Sequence, residues 1–303
     1  MHNKKKVLRY GENPNQKAFL VEYNNKSIFD FQISGKKISY NNIIDIDSGI
    51  KCLNEFKDPT SVIVKHTNPC GVASAENINQ AFKRCYECDP KSAFGGIIFL
   101  NRKVDLSLAK TIFKNFFEMI VATGFDKEAL SLLKRKKNLI LLRTPTVKRK
   151  TLESRSTMFG EIYQTKDMVP INKSFIKLTS NKKASVKLID DLIFSLKVVK
   201  HLKSNAVVLS KDKKTLGLGH GQTNRIDALK VAITNRNINF GKKNVVCASD
   251  GFFPFTDGIK LLIKNKCNVF AQPSGSINDN NIISFANLHK ISLYFIKHRL
   301  FKH

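Results

Sequence analysis

The sequence is short of acidic residues and has no long apolar run. It contains 24 Asp and Glu against 52 Lys and Arg, which gives a formal net charge of +28. No apolar run approaches the roughly 18–20 residues that a membrane-spanning helix needs. The basic first six residues are not followed by an apolar segment, so they do not form a secretory signal. We therefore expect no membrane association, and a reducing cytoplasm is the simplest setting for the six scattered cysteines.

Several motif classes are also missing. Only Cys85 and Cys88 form a CxxC pair, and one pair without a second is a weak signal for zinc or redox chemistry. The glycines of 216–221 fail the GxGxxG spacing, which excludes a Rossmann dinucleotide site. No nucleic-acid-binding motif occurs, so we interpret the positive charge as a solvated surface that attracts anions. A nucleic-acid-binding protein driven by this charge is the alternative.

The chain is long enough to bury a full core, and strand patterns alternate with helix patterns. Its 303 residues suit one large domain or two of about 150 residues. Apolar side chains at helical spacing over 186–203 predict a helix, and short apolar runs predict buried strands. Residues 143–184 have no sustained period and read as a variable connector with short strands. This alternation predicts an α/β fold. The regions 61–100 and 205–233 share the order strand, polar loop, helix, which indicates a duplicated unit.

A Lys-His pair follows the apolar run 61–64, which predicts a buried strand. His66 can accept a proton near pH 7, and the neighbouring Lys65 can stabilise negative charge and hold the imidazole neutral. We expect the backbone to turn through Asn68-Pro69 and Gly71. Loops after strands are where open α/β sheets bind ligands. The alternative is an ordinary surface loop that happens to carry this pair.

Other polar stretches have the features of an anion-binding or ring-binding site. Arg9 and Tyr10 precede turn residues and suit a loop that grips an anion, although Arg-Tyr pairs are common on surfaces. The glycine-rich stretch 216–227 predicts a turn into a helix, with Arg225 as counter-ion. Three Phe residues surround Pro254 in a predicted loop. Because loops lie at surfaces, these rings suit an apolar wall for a flat ligand.

Two further features concern glycines and the end of the sequence. Gly95 and Gly96 open a predicted strand and would let a ligand approach the backbone closely. Phe94, just before them, is either a core residue or a ligand wall. The basic tail 299–303 directly follows a predicted strand, so we expect it to be held against the body of the protein.

Nine motifs occur along the chain in an order shared with one family. They are LRYGENPNQ, YNNIIDID, VKHTNPCGVA, DPKSAFGGI, KVVKHLKSNAVVLS, GQTNR, SDGFFPFTDG, AQPSGS and RLFKH. In this order they resemble the AICAR transformylases, the folate-dependent half of the bifunctional purine biosynthesis protein that also carries IMP cyclohydrolase. The resemblance runs from about residue 7 to the last residue, and only 143–184 is poorly matched.

The resemblance implies a fold, an assembly and a reaction. The implied fold is two zinc-free α/β subdomains related to cytidine deaminase, with boundaries expected at 1–184 and 185–303. The implied assembly is a homodimer with active sites at the interface. The reaction is formyl transfer from 10-formyltetrahydrofolate, a co-substrate, to the 5-amino group of AICAR, and the product is FAICAR. The amine is a poor nucleophile, so catalysis must remove a proton and stabilise an oxyanion. No metal is expected.

Site residues are carried over by position in the motifs. His66 is the implied proton acceptor, Lys65 the implied transition-state stabiliser, and Asn205 orients the formyl group or the carboxamide. The AICAR-binding positions are Arg9, Tyr10, Gly95, Glu118, Arg225, Phe252 and Arg299. The folate-binding positions are Ile226, Phe94, Phe255, Asp257, Ser274 and Gly275.

The departures from the family pattern spare these catalytic positions. Asn15 stands where His is common, His220 and Asn224 replace small residues, and Glu118 stands where some members have Asp. The first motif starts at residue 8, so we expect no IMP cyclohydrolase activity from this chain, and a separate polypeptide or a different route to IMP. A homologue that binds nucleotide but turns over poorly is the other alternative, and the intact Lys65 and His66 argue against it.

Overall fold

The computed structural model describes residues 5–22, 27–145 and 151–303. Two parts of the sequence-based predictions lie outside the described residues: the start of the basic N-terminus and residues 146–150 of the connector. Within the described ranges, no helix combines the length and the apolarity needed to cross a membrane.

Most strands belong to one large mixed sheet. In chain order, the described strands are β1 (Lys5–Val7), β2 (Phe19–Val21), β3 (Gln32–Ser34), β4 (Thr60–Lys65), β5 (Asn68–Ser74), β6 (Ile97–Leu100), β7 (Met119–Ala122), β8 (Ile140–Arg143), β9 (Leu152–Thr157), β10 (Gly160–Thr165), β11 (Ile176–Leu178), β12 (Val207–Lys211), β13 (Lys214–Gly219), β14 (Val245–Ser249), β15 (Cys267–Pro273) and β16 (Ser292–Ile296). Strands β1 and β2 pair with each other, as do β9 and β10. The remaining strands form the sheet in the order β11-β16-β15-β14-β12-β13-β5-β4-β6-β7-β8-β3.

Helices connect the strands, which confirms the α/β prediction. They are α1 (Tyr40–Leu53), α2 (Ile78–Tyr86), α3 (Pro90–Ala93), α4 (Leu106–Phe113), α5 (Lys127–Lys134), α6 (Val186–Val199), α7 (Arg225–Phe240), α8 (Asp257–Lys264) and α9 (Asp279–Leu288). Several start where a polar side chain accepts a backbone N–H, and Ser39 before α1, Ser185 before α6 and Asn224 before α7 are examples. Such caps satisfy N–H groups that have no partner within the helix.

The two halves of the sheet have the same strand pairing. In the first half, β4 lies between β5 and β6 and is antiparallel to both. Strand β7 lies between β6 and β8 and is parallel to both, and β3 pairs antiparallel with β8. In the second half, β12, β13, β14, β15, β16 and β11 repeat these pairings. The halves meet where Lys214 of β13 lies opposite Ala73 of β5. Equivalent positions of the two halves can therefore be compared directly.

Apolar side chains fill both faces of the sheet. On one face, a single cluster packs α1 and α6 against strands of both halves, and it includes Ile46 and Leu192. The opposite face has one cluster in each half, around Phe82 in the first and Phe270 in the second. Strands buried on both faces read as continuous apolar runs, which is why the pattern at 61–64 indicated a strand.

The predicted glycine-rich turn is wrong in its position. Gly217 and Gly219 belong to β13, and the chain turns only after them, before α7. A Cβ at Gly219 would lie 1.8 Å from the carbonyl oxygen of Ala228 in α7. The glycines therefore allow close packing of helix on strand, and the same absence of a side chain had been interpreted as a turn signal.

The predicted aromatic wall is wrong for one of its three rings. Phe253 is 1% exposed and packs against Phe270, with ring centroids 6.4 Å apart. Phe252 is half-buried, and Phe255 is 64% exposed. One Phe therefore anchors the loop in the core, and the other two remain available to a ligand.

The described part of the connector contains the predicted short strands. Strands β9 and β10 form a hairpin that is exposed along most of its length, and β11 joins the edge of the sheet beside β16. Lys51 of α1 contacts the hairpin through an ion pair with Glu153, with 2.6 Å between Nζ and Oε1.

Candidate functional site

The Lys-His pair lies at the tip of a tight hairpin. Lys65 ends β4 and is paired with Asn68 of β5, so His66 and Thr67 alone form the turn. Both turn residues have positive φ, +51° and +65°. The expected turn through Asn68-Pro69 and Gly71 is therefore wrong, because these residues lie within β5. Two central residues with positive φ match the twist of the flanking strands, a conformation that usually requires Gly or Asn.

Side chains from distant parts of the chain hold this turn. The backbone N–H of Thr67 donates to Asp45 Oδ1 of α1 at 2.6 Å. The carbonyl of Thr67 accepts from Ser48 Oγ at 2.5 Å and from Lys302 Nζ at 3.2 Å. Asn68 Nδ2 donates to the carbonyl of His66 at 3.0 Å. These bonds stabilise an unfavourable backbone conformation, as is common at functional sites.

Lys65 brings the hairpin into contact with the second predicted loop. Its ammonium donates to the carbonyl oxygen of Phe94 at 2.9 Å. The ring of Phe94 is 62% exposed and packs against Phe116 with centroids 5.2 Å apart, so Phe94 is not a core residue. Gly95 follows with a φ of +73°, which a side chain would disfavour. Three predicted site residues, Lys65, Phe94 and Gly95, are thus neighbours.

Arg9, Tyr10 and Glu118 form the next group of predicted site residues. The backbone N–H of Glu118 donates to the carbonyl of Gly96 at 3.1 Å, which places Glu118 beside the loop that carries Phe94 and Gly95. The Arg9 guanidinium lies over the Tyr10 ring, 4.5 Å from its centroid. Glu118 accepts from Asn42 Nδ2 at 3.0 Å and forms an ion pair with Lys36 at 3.0 Å. Burial opposes ionisation of Glu118, but the bonds from Asn42 and Lys36 and the charges of Lys36 and Arg9 lower its pKa. Arg9 and Glu118 therefore give this group of residues charges of both signs.

Asn205 lies in the segment that leads into β12, and this segment contacts the Lys-His hairpin next to its turn. Its side-chain Nδ2 and its backbone N–H both donate to the carbonyl of Gln222, at 2.9 and 3.1 Å. The peptide bond between Ser204 and Asn205 is cis. Two residues earlier, the backbone N–H of Lys203 donates to Asn68 Oδ1 at 3.1 Å. The structure therefore connects Asn205 to the hairpin through one short stretch of backbone.

Arg225 forms a buried ion pair that the sequence did not predict. Its guanidinium lies against the Asp250 carboxylate, and the two side chains are 9% and 0% exposed. Arg225 Nε donates to the carbonyl of Phe252 at 3.0 Å. Burial lowers the pKa of Arg225, and Asp250 opposes that shift. Asp250 also accepts a hydrogen bond from the Ser204 hydroxyl, so it links Arg225 to the segment that contains Asn205.

A cavity of about 490 Å³ contains several of the predicted ligand positions. Its lining consists of Phe252, Ser274, Gly275, Lys297, His298 and Arg299. Lys297 and His298 were not predicted, because two polar residues before the RLFKH motif carry no signal of their own. Asp257 is exposed at the start of α8, and Ile226 packs against the core of the second half.

The C-terminal segment is held against the body, as predicted, and it joins the two groups of residues. Leu300 is 3% exposed, and its N–H donates to the carbonyl of Asp250 at 2.9 Å. Lys302 Nζ donates to the carbonyls of Thr67 and His201, at 3.2 and 2.9 Å. The segment 299–303 thus contacts both the Arg225–Asp250 pair, through Leu300, and the Lys-His turn, through Lys302.

No cluster of His, Cys, Asp and Glu suited to a metal occurs among the residues that the structure describes. Cys85 and Cys88 are buried, and Cys88 Sγ accepts from Thr215 Oγ1 at 3.1 Å. Burial raises the pKa of Cys88 to about 11, so its thiol stays protonated near neutral pH.

In comparisons with known proteins, this chain is similar in sequence to the members of one enzyme family. The family model described as AICARFT/IMPCHase bienzyme matches residues 1–235. The "Bifunctional purine biosynthesis protein PurH" of Caldicellulosiruptor bescii is 45% identical over 98% of this chain and 59% of that protein. The proteins of the same name from a Thermoanaerobacter species and from Lactobacillus acidophilus are 43% and 41% identical. Both matches cover at least 99% of this chain and 60% of the relative, so the chain spans about 60% of the length of these relatives.

Proposed function

The chain belongs to the AICARFT/IMPCHase bienzyme family, and from this premise we propose that it is the AICAR formyltransferase of purine biosynthesis. The proposed reaction transfers the formyl group of 10-formyltetrahydrofolate to the 5-amino group of AICAR. Its products are FAICAR and tetrahydrofolate. The observation that carries the proposal is the clamped turn at the end of the β4–β5 hairpin, where His66 directly follows Lys65.

The chemistry requires a base and a positive charge. His66 would accept the proton of the 5-amino group as the new C–N bond forms. Lys65 would stabilise the oxyanion of the tetrahedral intermediate. Its ammonium has three N–H groups, and the bond to Phe94 uses one of them. Asn205 would orient the formyl group or the carboxamide of AICAR.

Binding of the two substrates would use the residue groups around the hairpin. Arg9, Tyr10, Gly95 and Glu118 would contact AICAR from the first half of the sheet. Arg225, Phe252 and Arg299 would contact it from the second half. The 490 Å³ cavity would be shared, because its lining includes Phe252 and Arg299 from the AICAR positions and Ser274 and Gly275 from the folate positions. The ring of the folate would lie near Ile226, Phe94, Phe255 and Asp257.

We also propose the finer points of fold and assembly that the resemblance implies. The repeated strand pairing supports two cytidine-deaminase-like units, which we propose at about 1–184 and 185–303. Strand β11 (Ile176–Leu178) is the exception to these bounds, because it pairs with β16 of the second half. We propose a cytoplasmic homodimer with the active sites at the interface. Exposed rings such as Phe94 and Phe255 near the site are consistent with a surface that a second subunit or the folate covers.

The test is direct formyl transfer. Purified chain, AICAR and 10-formyltetrahydrofolate should release tetrahydrofolate in proportion to FAICAR. In His66→Ala, turnover should fall roughly 10²–10⁴-fold, the usual contribution of one general base, while AICAR still binds. Near-normal turnover in this folded variant would show that His66 is not the base. Salt-sensitive binding of random RNA without any folate binding would instead favour the nucleic-acid alternative.

A further inference from the structure

The repeat gives the catalytic turn a natural counterpart in the second half. Strand β12 turns into β13 at Asp212 and Lys213, and both residues have positive φ, +53° and +52°. This conformation matches that of His66 and Thr67 between β4 and β5. The same turn therefore occurs twice, once with the imidazole and once with an Asp-Lys pair.

Each turn is held by an aspartate at the same position of the preceding helix. Helices α1 and α6 both have 14 residues, and Asp45 and Asp191 occupy equivalent positions in them. Asp191 accepts the N–H groups of both turn residues, at 2.8 Å from Asp212 and 2.7 Å from Lys213. Asp45 accepts the second of the two corresponding N–H groups, that of Thr67, at 2.6 Å. The capping of this turn by a helical carboxylate is thus a feature of the fold.

Asp45 differs from Asp191 in its charged neighbours, because only those of Asp45 include a histidine, His66. Asp45 is half-buried, and charged groups face it from three elements: His66 on the turn, Glu118 before β7 and Lys302 of the C-terminal segment. Burial raises the pKa of Asp45, while the Thr67 N–H and the charges of His66 and Lys302 oppose that shift. Keeping a carboxylate here has an energetic cost, which the Thr67 N–H and the positive charge of Lys302 partly offset.

We propose that Asp45 is a positioning residue for His66, which it serves by fixing the left-handed turn and by placing a negative charge at the amide of the next residue, Thr67. The inference rests on the proposed role of His66 as proton acceptor. Asp45 does not touch the substrate in this scheme and takes no proton. Its carboxylate holds the Thr67 amide, and Ser48 and Lys302 hold the carbonyl of the same residue. With both ends of that residue fixed, the direction in which His66 leaves the backbone is fixed as well.

Three variants separate the two parts of this role. Asp45→Asn keeps an oxygen that can accept from Thr67 but removes the charge. Asp45→Ala removes both. Asp191→Ala is the matched control, because it removes the same kind of cap from the equivalent turn, which carries no proposed catalytic group. Circular dichroism and thermal melts establish that each variant is folded before it is compared.

The first measurement does not depend on turnover. The imidazole signal of His66, identified by its loss in His66→Gln, is followed by NMR across the pH range. A carboxylate stabilises the protonated imidazole, so Asp45→Asn should shift the midpoint of this signal to lower pH, by about half a unit or more. Asp191→Ala should leave it in place. An unchanged midpoint in Asp45→Asn would overturn the electrostatic part of the inference.

The second measurement is the pH dependence of kcat. Because the base must be neutral, the acidic limb of the Asp45→Asn profile should shift to lower pH together with the NMR midpoint. Asp45→Ala should lower kcat roughly 10–100-fold with little change in the KM for AICAR, as expected for a misplaced catalytic group. Asp191→Ala should retain kcat within about twofold even though it should lose more thermal stability, because Asp191 is buried and accepts two backbone N–H groups.

The outcomes distinguish this inference from the proposed reaction. Equal losses of kcat in Asp45→Ala and Asp191→Ala would mean that both caps are merely structural, which overturns the inference. If the wild-type chain transfers no formyl group but the His66 signal still moves in Asp45→Asn, the reaction is rejected while the coupling of Asp45 to His66 is supported.

Discussion

Replacement of Asp250 by alanine should destabilise the protein more than any change to a surface ion pair. The Asp250 side chain is 0% exposed, and it accepts from the Arg225 guanidinium and from the Ser204 hydroxyl. Alanine removes both acceptors and leaves the Arg225 cation, itself 9% exposed, without its counter-ion. Loss of one partner of a buried ion pair typically costs about 3–5 kcal/mol of the free energy of unfolding. Two hydrogen bonds to a charged group, at about 1.5–3 kcal/mol each, lead to a similar range.

Urea unfolding of the wild type and of Asp250→Ala measures this loss. The matched control is Asp227→Asn, because Asp227 pairs with Lys230 at 2.9 Å on the exposed side of α7. An exposed pair contributes little, so the control should unfold at nearly the wild-type urea concentration. Asp250→Ala should also weaken AICAR binding, since Asp250 positions Arg225. Equal small shifts in both variants would refute the reasoning, because the buried pair would then contribute no more than an exposed one.

Three further predictions concern the site and its surroundings. Lys65→Met should lower kcat on a scale comparable to His66→Ala and displace the pH–rate profile, and an unchanged rate would remove Lys65 from the mechanism. Asp257→Asn should raise the KM for 10-formyltetrahydrofolate and leave AICAR affinity unchanged; equal weakening of both substrates would mean that the folate pocket is misplaced. Burial lowers the pKa of His201 below its ordinary value of 6.5, and Glu55 opposes that shift. Between pH 6.5 and the lowered value the unfolded chain binds more protons than the folded one, so stability should fall as the pH drops from 6.5 towards that value and level off below it. His201→Gln should flatten this dependence in urea titrations.

The sequence predicted the central strands and the helices that cover them because their apolar side chains are buried. The run at 61–64 and the helical spacing over 186–203 depend on the burial of apolar side chains, which leaves its pattern in the local sequence. The position of the turn was less predictable. Asn68, Pro69 and Gly71 are ordinary turn residues, and yet they lie in β5, while His66 and Thr67 adopt a conformation that neither residue favours by itself.

The residues that the sequence failed to identify act through distant partners. Asp45 bonds to Thr67, Asp250 to Arg225, and Lys302 to Thr67 again. Nothing near an aspartate in the sequence states which amide or guanidinium it will meet after folding. Asp45 and Asp250 do lie within the motifs YNNIIDID and SDGFFPFTDG. A motif residue with no obvious ligand role was the available signal, and it indicated importance without indicating a partner.

Glycine and phenylalanine misled for a related reason. Each has two uses that look alike in a sequence: glycine allows a turn or a close contact, and phenylalanine fills a core or lines a pocket. Gly219 proved to be a close contact under α7. Phe253 proved to be core, whereas its neighbour Phe255 is exposed. Which use applies depends on the element that packs against the residue, and this is known only once the fold is known.

The outermost strands of the large sheet bear on how the protein behaves at high concentration. As described, the sheet ends at β3 on one side and β11 on the other, and each has three residues. An open strand edge is a template on which another chain can add a strand, and short or charged edges weaken that template. β11 carries Lys177 at its centre, and Gln32 of β3 donates to the carbonyls of Gly35 and Lys36 just beyond its own strand. Despite its width, the sheet thus offers a second molecule little backbone to pair with at its edges. These short edges disfavour aggregation through edge-to-edge strand pairing at high protein concentration.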